Sequence, residues 1–439
     1  MQIFLYLCTR KMEKFISKIW QSPSVRNVGK LLSANVLAQV IGFIIYPILT
    51  RLYSPEDFGL LNLFCSIGGA LILLATLEWY NAIVLPAREP EARAVVHLSL
   101  IATFALTILL ALSIPFAKPI AGLFNSPQLA SYYWLMPLYV LLMALWNILN
   151  YWYIRHKEYG RISGYQISQS TLSAAFKTSF AWLPFSGGLM YAAILSPLCS
   201  LMLSIKLAGS KLLKPLLSVD KEECRQAAVK YANFPKYSTP RTLINYIVGQ
   251  LPVFILTPLF GTRLVGFWGM ALMLAFVPMS TISRALYQVF YQKTTEWVNT
   301  GMSIRLFYRK FSLYTVAVVI PFFILLGIFL PQITAWLLGA EWRTVGEYIR
   351  WMLPWLTFNI LGSSISYLPD LFFKQKIGLL FEILLAVSRI IGVGIGIAMN
   401  SFEIAIAGYA IGSAIVNCIQ YLWFLSLVRK YEMTLQESR

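Results

Sequence analysis

The sequence predicts an all-α integral membrane protein with about twelve transmembrane helices. Of its 439 residues, 58% are hydrophobic and only 12% are charged, and the mean hydropathy is +0.67. An ordinary soluble domain has roughly 25% charged residues. Apolar stretches of about 20 residues, the length that crosses a bilayer core, follow one another with short charged or Pro/Gly-rich breaks. The ~10-residue alternating segments of a membrane β-barrel are absent from the sequence.

Length and apolar content define the individual spans, and their basic flanks predict the orientation. The predicted spans are 31–50, 60–85, 95–115, 132–152, 162–183, 187–208, 242–260, 266–290, 311–332, 347–370, 378–398 and 403–427. With the N-terminus in the cytoplasm, 28 of the 36 Lys and Arg residues fall in the segments on that side or at the span ends facing it, five fall likewise on the other side, and three lie deeper within spans. Since cytoplasmic loops carry the excess of Lys and Arg, both termini are predicted to be cytoplasmic.

The net charge of +18 is therefore mainly a topology signal. Attraction to anionic lipids is a secondary expectation, and nucleic acid is not an expected partner. The chain start lacks the basic region that precedes the apolar stretch of a signal peptide, so we expect no cleavage there.

A repeated phrase predicts an internal duplication. WLMPLYVLL at 134–142 returns as WMLPWLTFN at 351–359, with Pro137 and Pro354 separated by 217 positions. Gly59 and Gly266 mark a looser match, and chance similarity between apolar segments is the alternative. Six spans per copy require a parallel repeat, which gives two six-helix lobes related by a pseudo-two-fold along the membrane normal, with a central cavity. The predicted divisions are an N-terminal segment (1–30), an N-lobe (31–208), a basic cytoplasmic connector (209–241), a C-lobe (242–427) and a cytoplasmic tail (428–439).

Catalytic and metal-binding patterns are absent from the sequence. The only histidines are His97 and His156, the three aspartates lie far apart, and the five cysteines form no CxxC pair. No GxSxG, HExxH or P-loop spacing occurs. We therefore expect neither an enzyme nor a metal or cofactor site.

Charged residues inside predicted spans are the candidate site residues, because each costs about 2.5–3.5 kcal/mol at a span centre unless it faces water or a partner. Arg389 lies deepest, and Glu382 lies seven positions earlier on nearly the same helical face. We expect Arg389 to line a cavity, whereas Lys177 and Arg284 either line it or extend towards the interface. Cations in a cavity indicate an anionic substrate group such as phosphate. Glu382 and Glu78 are expected to be counter-ions, or sites for a coupling proton or Na⁺.

Several longer motifs carry a family resemblance. They are TRLYSPEDFG (50–59), YANFPKYSTPRTLIN (231–245), QLPVFIL (250–256), FGTRLVGFWGMA (260–271), PMSTISRALYQVFYQK (278–293) and GAEWRTVGEYIRWMLP (339–354). In their order along twelve spans, from about residue 30 to 430, the chain resembles the polysaccharide and O-antigen flippases of the multidrug, oligosaccharidyl-lipid and polysaccharide exporter superfamily. Arg241 departs from the small residue common at its position, and we expect it to meet lipid phosphate or a substrate headgroup at the cytoplasmic entrance.

The resemblance implies a function as well as a fold. It implies transfer of an undecaprenyl-pyrophosphate-linked oligosaccharide across the bacterial inner membrane for O-antigen, exopolysaccharide or capsule assembly. It also implies alternating access coupled to an H⁺ or Na⁺ gradient, with the polysaccharide polymerase machinery as a possible partner. The alternatives are a drug or small-molecule exporter of the same fold, a membrane enzyme such as a polymerase or acyltransferase, and a structural membrane protein.

Overall fold

The computed structural model describes residues 23–183, 187–209 and 221–437, with positions 213 and 218, and it describes side chains from residue 36 onwards. The described part of the chain is helical, without strands. Residues 1–22 of the predicted N-terminal segment, most of 210–220 in the connector, and 438–439 of the tail lie outside the described residues.

Eighteen α-helices make up most of the described residues. The first half contains α1 (Pro23–Leu52), α2 (Pro55–Thr76), α3 (Glu89–Leu112), α4 (Ala117–Leu123), α5 (Pro127–Tyr132), α6 (Met136–Arg155), α7 (Tyr159–Ala181), α8 (Gly188–Ala208) and α9 (Lys221–Lys230). The second half contains α10 (Thr239–Gly249), α11 (Leu251–Phe260), α12 (Thr262–Ala271), α13 (Val277–Asn299), α14 (Arg305–Leu338), α15 (Arg343–Ser363), α16 (Leu368–Leu371), α17 (Gln375–Ala398) and α18 (Phe402–Glu437). Short 3₁₀ or π segments join several of these helices.

By length and composition, eight of the described helices could each cross a membrane, or nine if the bent pair α10–α11 forms one span. The predicted span 60–85 is too long, because α2 ends at Thr76 and the next two residues, Leu77 and Glu78, have left-handed backbones with φ of 47° and 58°. A left-handed backbone cannot continue a right-handed helix.

The chain divides into two compact units. Of the described residues, those within 1–45, 71–112 and 135–240 form the first unit, and those within 46–70, 113–134 and 241–439 form the second. The lobe boundaries at 31–208 and 242–427 remain a prediction.

The motif TRLYSPEDFG begins α2 in the second unit. Ser54 precedes the helix, Pro55 is its first residue, and Asp57 follows two positions later. The Asp57 carboxylate accepts hydrogen bonds from the backbone N–H (3.0 Å) and hydroxyl (2.9 Å) of Ser54, and the Ser54 hydroxyl accepts one from the Asp57 N–H (3.2 Å). This reciprocal capping satisfies donors that a helix start leaves free, so these motif residues have a structural role.

The two loosely matched glycines meet at a helix crossing in the second unit. A Cβ on Gly59 of α2 would lie 1.8 Å from the Thr262 carbonyl oxygen, and one on Gly266 of α12 would lie 2.0 Å from the Pro55 carbonyl oxygen. Only glycine allows the two backbones to approach this closely. The sequence match between these segments therefore corresponds to a direct contact between them.

Trp342, from the motif GAEWRTVG, secures the same region of the second unit. Its fully buried indole donates to the Thr50 carbonyl at 3.1 Å, and its ring lies edge-on to Phe58 and Phe267 with centroids 5.2 and 5.5 Å away. The Thr50 hydroxyl donates to the Leu338 carbonyl at 2.8 Å. Motifs almost 300 positions apart thus form one packed cluster.

In the first unit, the connector helix α9 docks on α3 through one buried carboxylate. Glu91 accepts hydrogen bonds from the Lys230 ammonium at 2.5 Å and the Tyr231 hydroxyl at 2.9 Å. The hydrogen bond to Glu91 raises the pKa of Lys230, so this lysine stays charged. These hydrogen bonds attach the C-terminal part of the basic connector to α3 of the first unit.

Candidate functional site

A polar cavity of about 340 Å³ lies within the second unit, beside Arg389. Four helices line it: α10, α15, α17 and α18. Its lining residues are Asn245, Val248, Phe358, Asn359, Gly362, Ser363, Ser366, Phe381, Glu382, Leu385, Ala386, Arg389, Asn417 and Gln420. Each of the four helices contributes an amide, carboxylate or guanidinium group to the cavity, and this convergence of polar groups marks it as the candidate binding site.

Arg389 lies deep along α17. It lies fourteen positions after Gln375 at the helix start, which corresponds to about 21 Å along the axis. Its Nε donates to the Ser413 hydroxyl of α18 at 3.0 Å. Within the described residues its two terminal nitrogens make no hydrogen bond, so they remain available to a ligand. A guanidinium offers these nitrogens as a planar fork that matches phosphate oxygens.

Aromatic rings support the Arg389 guanidinium. Its central carbon lies 4.7 Å from the centroid of the Tyr409 ring and 5.7 Å from that of Trp355. Trp355 is in turn stacked on Phe276, with centroids 5.0 Å apart and planes inclined by 18°. Phe276 ends the π-helical segment Leu272–Phe276 between α12 and α13. Cation–π contacts stabilise the charge, and the stacked rings restrict where it can move.

Close packing of α17 on α18 brings Arg389 to Ser413. A Cβ on Gly392 would lie 2.3 Å from the carbonyl carbon of Gly408, and one on Gly408 would lie 2.5 Å from the Gly392 carbonyl oxygen. The two glycines therefore allow backbone contact about one turn from Arg389. This contact sets the distance between the arginine and its partners on α18.

A broken helix borders the site. Helices α10 and α11 meet at Gln250 with a bend of 47°, just before Pro252. The Tyr409 hydroxyl donates to the Gly249 carbonyl, the last in α10, at 3.2 Å. A carbonyl exposed at a helix end requires such a partner in a membrane. Tyr409 thus satisfies the break with its hydroxyl and supports Arg389 with its ring.

Glu382 lies in the same cavity, about 10 Å from Arg389 along the helix axis. Its carboxylate accepts a hydrogen bond from the Asn245 side chain of α10 at 3.3 Å, and it is exposed. The amides of Asn359, Asn417 and Gln420 also line the cavity, and within the described part of the chain they make no hydrogen bond. The site therefore combines a cation, an anion and several free amides.

The structure places the other predicted site residues elsewhere. Arg284 on α13 is exposed and donates back within its own helix, to the Ser280 carbonyl at 3.3 Å and the Thr281 hydroxyl at 3.4 Å. Arg241 is exposed in the first turn of α10. Neither residue lines the Arg389 cavity.

The remaining two predicted residues belong to the first unit. Lys177 is half-buried on α7. Glu78 is 5% exposed at the break after α2, and it accepts hydrogen bonds from Asn81 at 2.9 Å and from the Tyr80 hydroxyl at 3.4 Å. No Lys or Arg of the described residues forms an ion pair with Glu78, so amide and phenol groups stabilise it.

Sequence reasoning missed the uncharged members of the site. Asn359 and Trp355 belong to the repeated phrase WMLPWLTFN, where the earlier copy has Leu142 and Leu138 at the spacing of 217. Polar substitution in only one copy of a repeat was the available signal. Among the described residues, no group of three His, Cys, Asp or Glu side chains could hold a metal ion.

Comparison with known proteins identifies the family. The family model described as "Polysaccharide biosynthesis protein" matches residues 48–347, more than half of the chain. The chain belongs to this family. The resemblance drawn from the sequence motifs is thereby confirmed.

One curated relative is the succinoglycan biosynthesis transport protein ExoT of Rhizobium meliloti (strain 1021). The two are 23% identical over 274 residues, which cover 61% of this chain and 52% of the relative. The chain thus matches about half the length of that relative.

Solved structures with the same fold are transporters. An inward-facing multidrug resistance MATE family transporter of the MOP superfamily has a TM-score of 0.66 and 16% identity, covering 92% of this chain and 96% of the other. The D35N mutant of the Vibrio cholerae MATE transporter VcmN has a TM-score of 0.58 and 12% identity, with coverages of 92% and 96%. The predicted fold class, an all-α membrane protein with about twelve helices in two six-helix lobes, is confirmed. The protein is a multi-pass membrane protein.

Proposed function

We propose that the protein is a flippase that carries an undecaprenyl-pyrophosphate-linked oligosaccharide repeat unit across the bacterial inner membrane, for assembly of an O-antigen, exopolysaccharide or capsule. The main support for this proposal is Arg389, which lies deep in its helix and presents two terminal guanidinium nitrogens without hydrogen bonds to a cavity lined by several amides. Membership of the polysaccharide biosynthesis family and the transporter fold support the proposal.

Arg389 is the proposed pyrophosphate ligand. A bidentate contact between guanidinium and phosphate is strong and directional, and the arginine has both terminal nitrogens available for it. The Ser413 hydrogen bond and the Tyr409 and Trp355 rings hold the guanidinium in place without neutralising it. Lys177 and Arg284 are proposed as further phosphate contacts during passage, and Arg241 as an entrance contact.

The amides are the proposed sugar contacts. Asn359, Asn417 and Gln420 each offer donors and acceptors, which suit sugar hydroxyls. Phe358 and Phe381 add flat apolar surface on the cavity wall. At about 340 Å³ the cavity has room for the pyrophosphate and the adjoining sugar, while the lipid tail remains in the bilayer.

Glu382 is the proposed coupling residue. It shares the cavity with Arg389, so a proton or Na⁺ bound at its carboxylate would change the charge that a substrate anion meets. Glu78 is the second proposed ion-coupling residue. An ion gradient would then bias alternating access. The polymerase machinery would accept the repeat on the outer side, and both termini would be cytoplasmic.

The test measures the sidedness of lipid-linked repeats in the native host. Cells depleted of the protein should accumulate complete repeats in the cytoplasmic leaflet, where a membrane-impermeant sugar oxidant reaches them only in inside-out vesicles. When expressed at a normal level in the depleted cells, the Arg389→Ala variant should fail to restore normal sidedness, whereas the Arg389→Lys variant should restore part of it. Arg343→Ala is the matched control, because this exposed arginine lies on α15 outside the cavity. Unchanged sidedness after depletion, with no substitute transporter present, would refute the proposal.

A drug exporter is the second candidate, favoured by one observation. The carboxylate of Glu382 and the rings of Phe358 and Phe381 line the same cavity, and this combination suits flat organic cations. Efflux of a cationic dye that is abolished by Glu382→Gln, together with unchanged repeat sidedness, would select this function.

A further inference from the structure

A groove with three arginines in its lining lies in the second unit, between the start of α14 and the C-terminal part of α18. It has a volume of about 480 Å³ and is separate from the Arg389 cavity. Its lining residues are Arg305, Tyr308, Arg309, Ser312, Leu313, Val316, Leu425, Val428 and Arg429. Both helix ends lie on the side that the Lys and Arg distribution predicts to be cytoplasmic.

Three arginines define the polar end of this groove. Arg305 and Arg309 are one turn apart on α14, and Arg429 approaches from α18. All three are exposed, and no acidic side chain of the described residues lies within 4.0 Å of their guanidinium nitrogens. Three unpaired guanidinium groups together form a site for an anion.

The nearby carboxylate already has other partners. Glu432 accepts hydrogen bonds from the Ser303 hydroxyl (2.9 Å) and from the backbone N–H groups of Ile304 (2.7 Å) and Arg305 (3.0 Å). It therefore caps the first turn of α14. Its charge stabilises the helix start and leaves the arginine side chains for a ligand.

The remainder of the groove is apolar. Leu313 and Val316 continue the face of Arg305 and Arg309 along α14, and they are 62% and 40% exposed. The polar side chains at this level bond inwards, since the Tyr308 hydroxyl contacts Thr294 at 2.7 Å and the Ser312 hydroxyl contacts Tyr421. A basic end that continues into an exposed apolar stripe fits a phosphate headgroup followed by an acyl chain.

We infer that this groove, lined by Arg305, Arg309 and Arg429, binds one anionic phospholipid of the cytoplasmic leaflet. The cytoplasmic leaflet supplies such lipids next to these helix ends, and each nearby Lys or Arg strengthens their binding. The inference does not depend on the transported substrate. It goes beyond a general attraction of positive charge to the membrane, because it assigns the lipid to one groove.

The test measures lipid binding to the full-length chain in a nonionic detergent. The probes are a short-chain phosphatidylglycerol, the matching phosphatidylcholine, and glycerol 3-phosphate, which has the anionic group without acyl chains. The test variant is Arg309→Gln with Arg429→Gln. Its matched control is Lys310→Gln with Lys430→Gln, which removes the same charge from adjacent exposed positions that do not line the groove.

The expected result is preferential binding of phosphatidylglycerol, weakened about tenfold or more in the arginine variant and retained in the lysine control. Equal losses in both double variants would indicate a nonspecific charge effect and overturn the inference. Glycerol 3-phosphate binding as tightly as the lipid would indicate a free-anion site and overturn it as well. Displacement of the probe by undecaprenyl phosphate at much lower concentration would assign the groove to the carrier lipid instead. Unchanged elution of both variants from a sizing column shows that they remain folded.

Discussion

Replacing Gly392 with alanine should disrupt the contact that positions Arg389. The added Cβ would lie 2.3 Å from the Gly408 carbonyl carbon, 2.4 Å from its oxygen and 2.8 Å from the Tyr409 nitrogen. All three are backbone atoms, so no side chain can move away to make room. Carbon atoms at optimal separation are about 3.5–4.0 Å apart, so α17 and α18 must separate by about 1 Å or more.

That separation has a structural and a functional consequence. Overpacking of this kind costs about 1–3 kcal/mol, which lowers the apparent melting temperature by a few degrees. The Arg389–Ser413 hydrogen bond, now 3.0 Å, would lengthen towards ~4 Å and be lost. We therefore expect Gly392→Ala to lower both thermal stability and transport.

The measurement is thermal melting of the purified chain in detergent, followed by loss of its monodisperse elution peak. Gly394→Ala is the control, because it lies two residues away on α17 and its new Cβ would meet no atom within 4 Å. Both variants gain the same intrinsic helix propensity, so their difference isolates the clash. Equal melting temperatures for the two variants would refute the argument that α17 and α18 are held by backbone contact at Gly392.

Substitutions at three further residues test the site and the packing of the second unit. Tyr409→Phe keeps the ring beside the Arg389 guanidinium but removes the hydrogen bond from the Tyr409 hydroxyl to the last carbonyl of α10, so we expect lower thermal stability with part of the transport retained. Tyr409→Leu removes the ring as well and should abolish transport. Glu382→Gln should remove the dependence of transport on an ion gradient in vesicles, and a dependence equal to wild type would argue against a coupling role. Arg350→Met should cost about 1–3 kcal/mol of stability. Arg350 donates at 2.9 Å to the Gly327 carbonyl, and the residue four positions after Gly327 is Pro331, which has no N–H to bond that carbonyl within the helix. A melting temperature equal to wild type would contradict this role.

Charged residues within apolar spans predicted two members of the site, but the sequence did not predict its uncharged members. Arg389 and Glu382 stood out because a charged side chain in a span is costly and therefore visible in the sequence. Asn359 and Asn417 are ordinary by that measure, since a neutral amide costs less. Their importance comes from sharing one cavity with Arg389, which no local pattern records.

Prolines give a similar contrast. A proline within a helix removes a backbone donor and favours a kink, and α10 breaks from α11 just before Pro252. The sequence did not indicate which side chain would satisfy the broken end. Tyr409 does so from 160 positions away.

The sequence by itself determined the fold class, the family and the identity of the deepest cation, because hydropathy, motif order and a charge within a span are properties of continuous segments. Only the tertiary structure decided which charges share a site. It brought Glu382 to Asn245 across 137 positions and left Arg284 bonded to its own helix. The physical reason is that helical periodicity defines which residues share a face, whereas close packing, as at Gly392 and Gly408, decides which faces meet.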